Sequence, residues 1–372
     1  MKYRIFEGCR IVEGFERCIV EDLQRGTYKF YPKIIARLFD ESGILNNNNI
    51  PLVENEDFQH LAEVLVKDEV VFPIEDIEIN NFPRLDLSWE YPAYLTNCII
   101  VWNKSFIEDY IRIIKEDCLH TNCRHLQFQI YDPLSSEHLT VVQNAINNSI
   151  IQSVEYIVNK SIFADMDKLK EWVWQNKKIR FVSLNGRQSN SVISSGENGM
   201  GVIVSTAELI ASPMQCGNIH YNYFSTNLEL FTEAQHHNTC LNRKVCIDAN
   251  GDIKNCPAMK KSYGNIRDTT LKEAIEKPGF KDCWTICKDQ IDVCKDCEFR
   301  YMCTDCRAFI KDPENPYSQP AKCTYNPYIC LWEGQDGYVP VEECGNYSRE
   351  TGFVPNKDKI TELNKQIWGD EK

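Results

Sequence analysis

Eight cysteines between Cys240 and Cys323 constrain this chain more than any other feature. They are Cys240, Cys246, Cys256, Cys294, Cys297, Cys303, Cys306 and Cys323, spaced C-x5-C-x9-C and, 37 residues on, C-x2-C-x5-C-x2-C-x16-C. Thiols two and five residues apart are too crowded to serve chiefly as core residues. Soft sulfur ligands at that density select iron–sulfur clusters or zinc, and eight ligands complete two four-cysteine sites. The first fifteen residues carry acidic side chains and no apolar secretory stretch, so the expected compartment is the cytoplasm. Thiols stay reduced there, which favours metal ligation over disulfides for a chain with 18 cysteines.

A length of 372 residues suits two or three domains, and 43% apolar residues suffice for large cores. No run approaches the roughly 18–20 apolar residues of a membrane span, so no membrane partner is expected. The net charge of −13 argues against sequence-independent nucleic-acid binding, which needs a cationic surface. It is compatible with a basic peptide partner.

Residues 1–75 read as a leading unit. Strands are expected at 4–13, 18–23 and 27–31, with turns at Gly14 and Gly26, helices at 33–41 and 58–67, and a polar loop from Asn46 to Asn49. That order suggests a winged-helix-like shape, or else an embellishment of the main domain. Residues 76–92 form a linker with Pro83 and Pro92. From 93 to 235, strands (94–102, 126–131, 153–158, 179–184) alternate with helices (106–116, 137–148, 165–175). Weaker strand candidates are Val202–Ser205 and 221–224. Repeated βα units imply parallel strands with right-handed crossovers. The fold class is therefore α/β, as a degenerate partial (βα) barrel rather than a complete one. Residues 236–345 hold the cysteines, with a hairpin about Asn250-Gly251 and a short helix at 271–276. A polar tail, 346–372, ends in a helix at 359–368.

The pattern Cys240-x10-Gly251-x4-Cys256, Cys294-x2-Cys297-x5-Cys303-x2-Cys306 and Cys323 resembles the SPASM domain of peptide-modifying radical-SAM maturases. Two residues, Thr304 and Asp305, separate Cys303 from Cys306, where that family usually has three. Ser262-Tyr263-Gly264-Asn265-Ile266 and Cys297-Glu298-Phe299-Arg300-Tyr301 are also similar to SPASM segments. The whole chain resembles the grasp-with-spasm maturases, which are encoded beside an ATP-grasp ligase and a short precursor peptide. The resemblance implies two auxiliary 4Fe–4S clusters with interleaved ligands: Cys240, Cys246, Cys256 and Cys306 for the first, and Cys294, Cys297, Cys303 and Cys323 for the second. Two zinc sites would staple the region equally well and remain the alternative.

Radical-SAM enzymes carry C-x3-C-x2-C after their first barrel strand, and no such triplet exists here. Asn97-Cys98-Ile99-Ile100-Val101-Trp102 stands in its place, and Cys118-x4-Cys123 has no third partner. After the second strand the family has Gly-Gly-Glu-Pro-Leu. This chain has Ile130-Tyr131-Asp132-Pro133-Leu134, with bulky Tyr131 where backbone should approach a ligand closely. The expectation is a barrel without its S-adenosylmethionine site, and the alternative is an unrelated α/β domain. Lesser candidates are Cys283-x3-Cys287 as a spare metal pair or packing thiols, and His236-His237 beside the first set. Cys9 and Cys18 are expected to pack across a hairpin; Cys330 and Cys344 follow no pattern.

Two functions stay open. In the first, the chain is an accessory protein in ribosomal peptide maturation. Its leading unit resembles an element that captures a precursor's leader segment by strand addition. The edge is expected from Cys18, Ile19, Val20, Glu21, Asp22 and Leu23 and from Thr27, Tyr28, Lys29, Phe30 and Tyr31. An ATP-grasp ligase would be the partner and catalyst. In the second, the clusters serve a redox enzyme that works without S-adenosylmethionine. No catalytic residue is singled out, and a homodimer is compatible with either.

Overall fold

The structure is a computed structural model that describes residues 2–45, 55–131, 136–159, 165–199 and 201–369. The expected loop from Asn46 to Asn49 and the segment Asp132-Pro133-Leu134 lie outside them. The chain forms two compact units, each assembled from separate stretches: Met1–Trp89, Asn218–Thr239 and Ile286–Lys372 in one, Glu90–Gly217 and Cys240–Thr285 in the other.

The first unit opens with β1 (Lys2–Ile5), followed by the antiparallel meander β2 (Cys9–Glu13), β3 (Arg17–Asp22) and β4 (Thr27–Pro32). The strand expected at 4–13 is thus two strands. β1 turns away to pair with β5 (Val71–Ile74). β3 is buried along most of its length, with Cys18, Ile19 and Val20 at its centre, because both its faces are covered. Cys18 and Val20 join Ile35, Leu38, Ala62 and Leu65 in a core that includes the helix Asn55–Lys67. Ile19 and Leu23 join Phe231, Phe299, Met302 and Tyr325 in another. The helix expected at 33–41 is a 3-10 turn, Lys33–Arg37, after which Phe39 bridges to Leu45 instead of continuing.

The second unit is an eight-stranded sheet of β6 (Asn97–Val101), β7 (His125–Ile130), β8 (Ser153–Asn159), β9 (Ile179–Asn185), β10 (Ser191–Ser195), β11 (Val202–Ser205), β12 (Lys244–Ile247) and β13 (Ile253–Lys254). Its order is β10-β11-β9-β8-β7-β6-β12-β13. Neighbours from β11 through β12 run parallel, and β10 and β13 are antiparallel strands at the two ends. β11 confirms the weaker candidate at Val202–Ser205. Residues 221–224 are no strand: Tyr221–Tyr223 is a 3-10 turn in the first unit, capped by the His220 side chain accepting from Asn222 N–H. The hairpin about Asn250-Gly251 forms as expected, and its first arm, β12, also pairs with β6.

Alternation along these strands separates two faces. One buries Phe128 stacked on Tyr156 at 5.5 Å, with Tyr110 and Trp172 packed edgewise or tilted beside them. Buried large rings of this kind contribute about 1.5–3 kcal/mol each. The other face carries a polar row. Gln127 donates to Glu155, Gln129 to Gln127, Tyr131 to Gln129, and Ser183 to Asn185.

The remainder of the first unit has little regular structure. It includes the helix Leu228–His236, 3-10 turns at Lys288–Gln290 and Cys294–Asp296, and two hairpins. These are β14 (Tyr325–Asn326) with β15 (Leu331–Trp332), and β16 (Gly345–Ser348) with β17 (Gly352–Pro355). The polar tail ends in a helix, Lys357–Trp368, whose apolar side packs Ile360, Leu363 and Ile367 against Val293, Tyr328 and Phe353. No helix among the described residues is long and apolar enough to cross a membrane.

Candidate metal centre

Cys294, Cys297, Cys303 and Cys323, the second set, line one small cavity of about 20 Å³. Three of them come from a single tight stretch. A 3-10 turn at Cys294–Asp296 gives way at Cys297 to a run of turns through Cys303. Cys323 comes from the other side, held by a parallel bridge to Ile219. Val293, immediately before Cys294, has φ +67°. For a β-branched residue that backbone is strained by about 1–3 kcal/mol. It is held there by the core beneath the C-terminal helix, which includes Val293.

Burial disfavours anionic sulfur at all four positions, and a few neighbouring groups work against it. Burial pushes the Cys294 thiol up to about 12 and that of Cys303 up to about 11, with Lys288 opposing both. Burial also raises Cys297 and Cys323; backbone N–H groups of Phe299 and Tyr325 respectively oppose it. The Gln319 side chain opposes it at Cys323 too. N–H groups aimed at cysteine sulfur stabilise the thiolate form and tune metal–sulfur centres.

Lys288 is the residue that sequence reasoning missed. Its side chain is buried, 4% exposed, and its ammonium donates to Cys303 Sγ at 3.3 Å. Asp305 Oδ1 lies 4.0 Å away. Asp305 is itself engaged: Arg307 Nε donates to it at 3.0 Å and Asn238 Nδ2 at 2.7 Å. Burial works against the charged form of Lys288, but Cys303, Cys294 and Asp305 outweigh it, and its pKa is raised overall. The only sequence signal was its place between Cys287 and Cys294.

Either an iron–sulfur cluster or zinc would take four thiolates from this set. Among the described residues, no three His, Cys, Asp or Glu side chains stand close enough together to hold a metal ion as they are placed.

Of the first set, Cys240, Cys246 and Cys256 belong to the second unit and Cys306 to the first. Cys246 sits in β12, opposite Lys254 of β13. Its thiol is raised well above the usual range by burial and then by neighbouring Cys256. The hairpin therefore brings these two together. The structure also gathers thiols that spacing had left unpaired. Cys118 shares a hydrogen bond with Cys123, and Cys98 feels both Cys123 and Cys246. Cys123 donates to the carbonyls of Thr96 and His125 at 3.6 and 3.7 Å. Cys98 lies mid-strand in β6, fully buried. Cys9 and Cys18 both pack under the helix Asn55–Lys67, though not opposite each other: Cys18 pairs with Glu13 and Cys9 with Asp22. His237 packs against the Trp89 ring at 5.3 Å.

The expected peptide edge needs one correction. β3 is the central strand of its sheet, hydrogen-bonded to β2 and β4, so Cys18, Ile19, Val20, Glu21, Asp22 and Leu23 offer no open backbone. Five of them are also buried, Asp22 being the partly exposed one. The edge belongs to β4. Thr27, Lys29 and Phe30 are exposed, Tyr28 is half-buried, and Tyr31 is buried with its hydroxyl donating to Asp68 at 2.7 Å. The same sheet is tied to the cysteine loop. Phe15 N–H donates to the Asp296 carbonyl at 2.7 Å, and Arg300 to the Glu13 carbonyl at 2.6 Å. Arg17 donates to Glu298 at 2.6 Å. Gly14 permits this approach, since a Cβ there would stand 3.0 Å from both the backbone nitrogen and the Cβ of Glu298.

No protein-family model matches the chain, and no curated protein matches it. A solved structure with some similarity is that of SuiB from Streptococcus suis bound to S-adenosylmethionine. It is 11% identical, with 85% of this chain and 98% of that chain covered and a TM-score of 0.32.

Proposed function

We propose that this chain is an accessory maturation protein for a ribosomally synthesised peptide, one that captures the precursor on β4 and carries two four-cysteine iron–sulfur centres. The observation that carries the reading is the second set: four thiols around one cavity, with a buried ammonium and several N–H groups turned toward their sulfurs. Cys294, Cys297, Cys303 and Cys323 would hold one centre, and Cys240, Cys246, Cys256 and Cys306 the other. Bound there, a 4Fe–4S cluster would supply a four-point staple and a one-electron couple. The chain's own part is to shield the sulfurs, orient Lys288 and anchor the β2–β3 turn to the ligand loop. β4, with one free backbone edge, is suited to an added strand, and the catalyst would be an ATP-grasp ligase bound alongside.

The test combines metal analysis with calorimetry. Anaerobically purified protein should hold iron and sulfide in matching amounts, and the precursor's leader segment should bind it with the ligase present. Stoichiometric zinc without iron would remove the cluster reading, and absence of leader binding would remove the accessory role. The buried charge beside the thiols also favours the second reading, a redox enzyme acting on a peptide without its own S-adenosylmethionine cluster. Reversible reduction coupled to turnover of a peptide would select it.

A further inference from the structure

We propose that Lys288 is the built-in counter-charge of the second four-cysteine centre: a positioning residue that offsets part of its negative charge and thereby sets how easily it is reduced. The inference rests on the proposal that these cysteines hold an anionic metal centre. It starts from a charge-balance problem. An ammonium this deeply buried is strongly disfavoured unless an anion meets it. Asp305 is 4.0 Å away and already receives Arg307 and Asn238. Arg307 also donates to the carbonyls of Pro316 and Ser318, so it is fixed in place by backbone. Asp305 is thus shared between Arg307 and Lys288 and offsets only part of the lysine's charge. The direct contact Lys288 makes is with Cys303 Sγ, at 3.3 Å. The rest of the balancing negative charge falls to the sulfur side.

A centre with four thiolates and a 4Fe–4S core is dianionic when oxidised and gains a further negative charge on reduction. A fixed cation at hydrogen-bond distance from one sulfur stabilises the more negative state, so it raises the reduction potential. Asp305, Arg307 and Asn238 act one step back. They hold the ammonium on the cavity side while contributing little net charge.

The experiment uses the full chain, reconstituted anaerobically, with Lys288→Met and Lys288→Arg beside the wild type. Iron and sulfide are counted per chain, and reduction is followed by electron paramagnetic resonance during a potentiometric titration. In K288M, one of two centres should shift to a more negative midpoint while the other stays; K288R should keep the wild-type value. Loss of about half the iron in K288M but not in K288R also supports the proposal, because the variants differ in charge. Unchanged iron and unchanged midpoints in K288M would overturn it. So would equal loss in both variants, which would mean that shape matters and charge does not. If the wild type takes up zinc and no iron, the cluster reading fails but the counter-charge is still measurable. K288M should then release zinc to a competing chelator more readily than K288R, and equal release would overturn the proposal.

Discussion

Glu21 shows what a single side chain can reveal here. It lies on β3 between Ile19 and Leu23, fully buried, and neither carboxyl oxygen has a hydrogen-bond partner. Burial pushes its pKa up to about 8, against a smaller opposing pull from Arg300. The folded protein therefore keeps a proton that the unfolded chain gives up in the ordinary carboxyl range. The contribution of Glu21 to stability falls as pH rises from that range to about 8, by at most about 1.4 kcal/mol per pH unit. Glu21→Gln should flatten that slope and leave the variant more stable than the wild type at pH 8.5; urea unfolding at pH 5.5, 7 and 8.5 reads it. A second residue-scale prediction concerns Cys323. It is the one ligand of its set from outside the 294–303 loop, and Cys323→Ser should lower the iron per chain by about half. Legibility at this scale was uneven. Cysteine spacing marked the eight thiols, and their division into two sets is what the SPASM resemblance implies. Nothing marked Lys288, Glu21 or the meeting of Cys98, Cys118 and Cys123, because those contacts depend on how distant segments pack.

Elements were easier to read. The βα alternation from β6 to β9 was visible because parallel strands are apolar and their helices keep one apolar stripe. Asn250-Gly251 marked its hairpin through Gly251, at φ +81°. The pairing of β12 with β6 was not visible, since Lys244 meets Asn97 across a long stretch of chain and no local pattern records that. Nor was the break in the helix after β6. It runs Ile107–Arg112, makes a π turn at Ile113–Asp117, and resumes at Cys118–Thr121. Residues 18–23 were expected to share the open edge with 27–31, whereas β3 is hydrogen-bonded on both sides and buried on both faces. The strand that remains, β4, allows a direct test. Neighbouring residues of an edge strand point their N–H groups alternately toward the partner strand and away. Of Lys29→Pro and Phe30→Pro, one removes a bond to β3 and should lower the melting temperature. The other should melt near the wild type yet lose the leader peptide in calorimetry. If both variants bind the peptide normally, β4 is not the docking edge.

At the scale of the whole molecule, the cysteine loop and the leading sheet behave as one mechanical piece of the first unit. The bonds from Phe15 to Asp296, from Arg300 to Glu13 and from Arg17 to Glu298 all cross between them. Removing metal should therefore be felt outside the ligands. Hydrogen exchange over residues 9–32 should quicken in chelated or Cys323→Ser protein, and exchange in β7 and β8 should change little. Equal rates in loaded and stripped protein would disconnect the two. The assembly of that unit from three stretches also has a bearing on how the protein is made. Val12, Ile19 and Leu23 emerge from the ribosome early, while Phe299, Met302 and Tyr325, which cover them, follow some 280 residues later. At about 5–20 residues per second, that apolar surface waits roughly 14–56 s for its lid. During synthesis the nascent sheet is a natural client for a holding chaperone, and any metal delivered to the second set has to wait until Cys323 has been made.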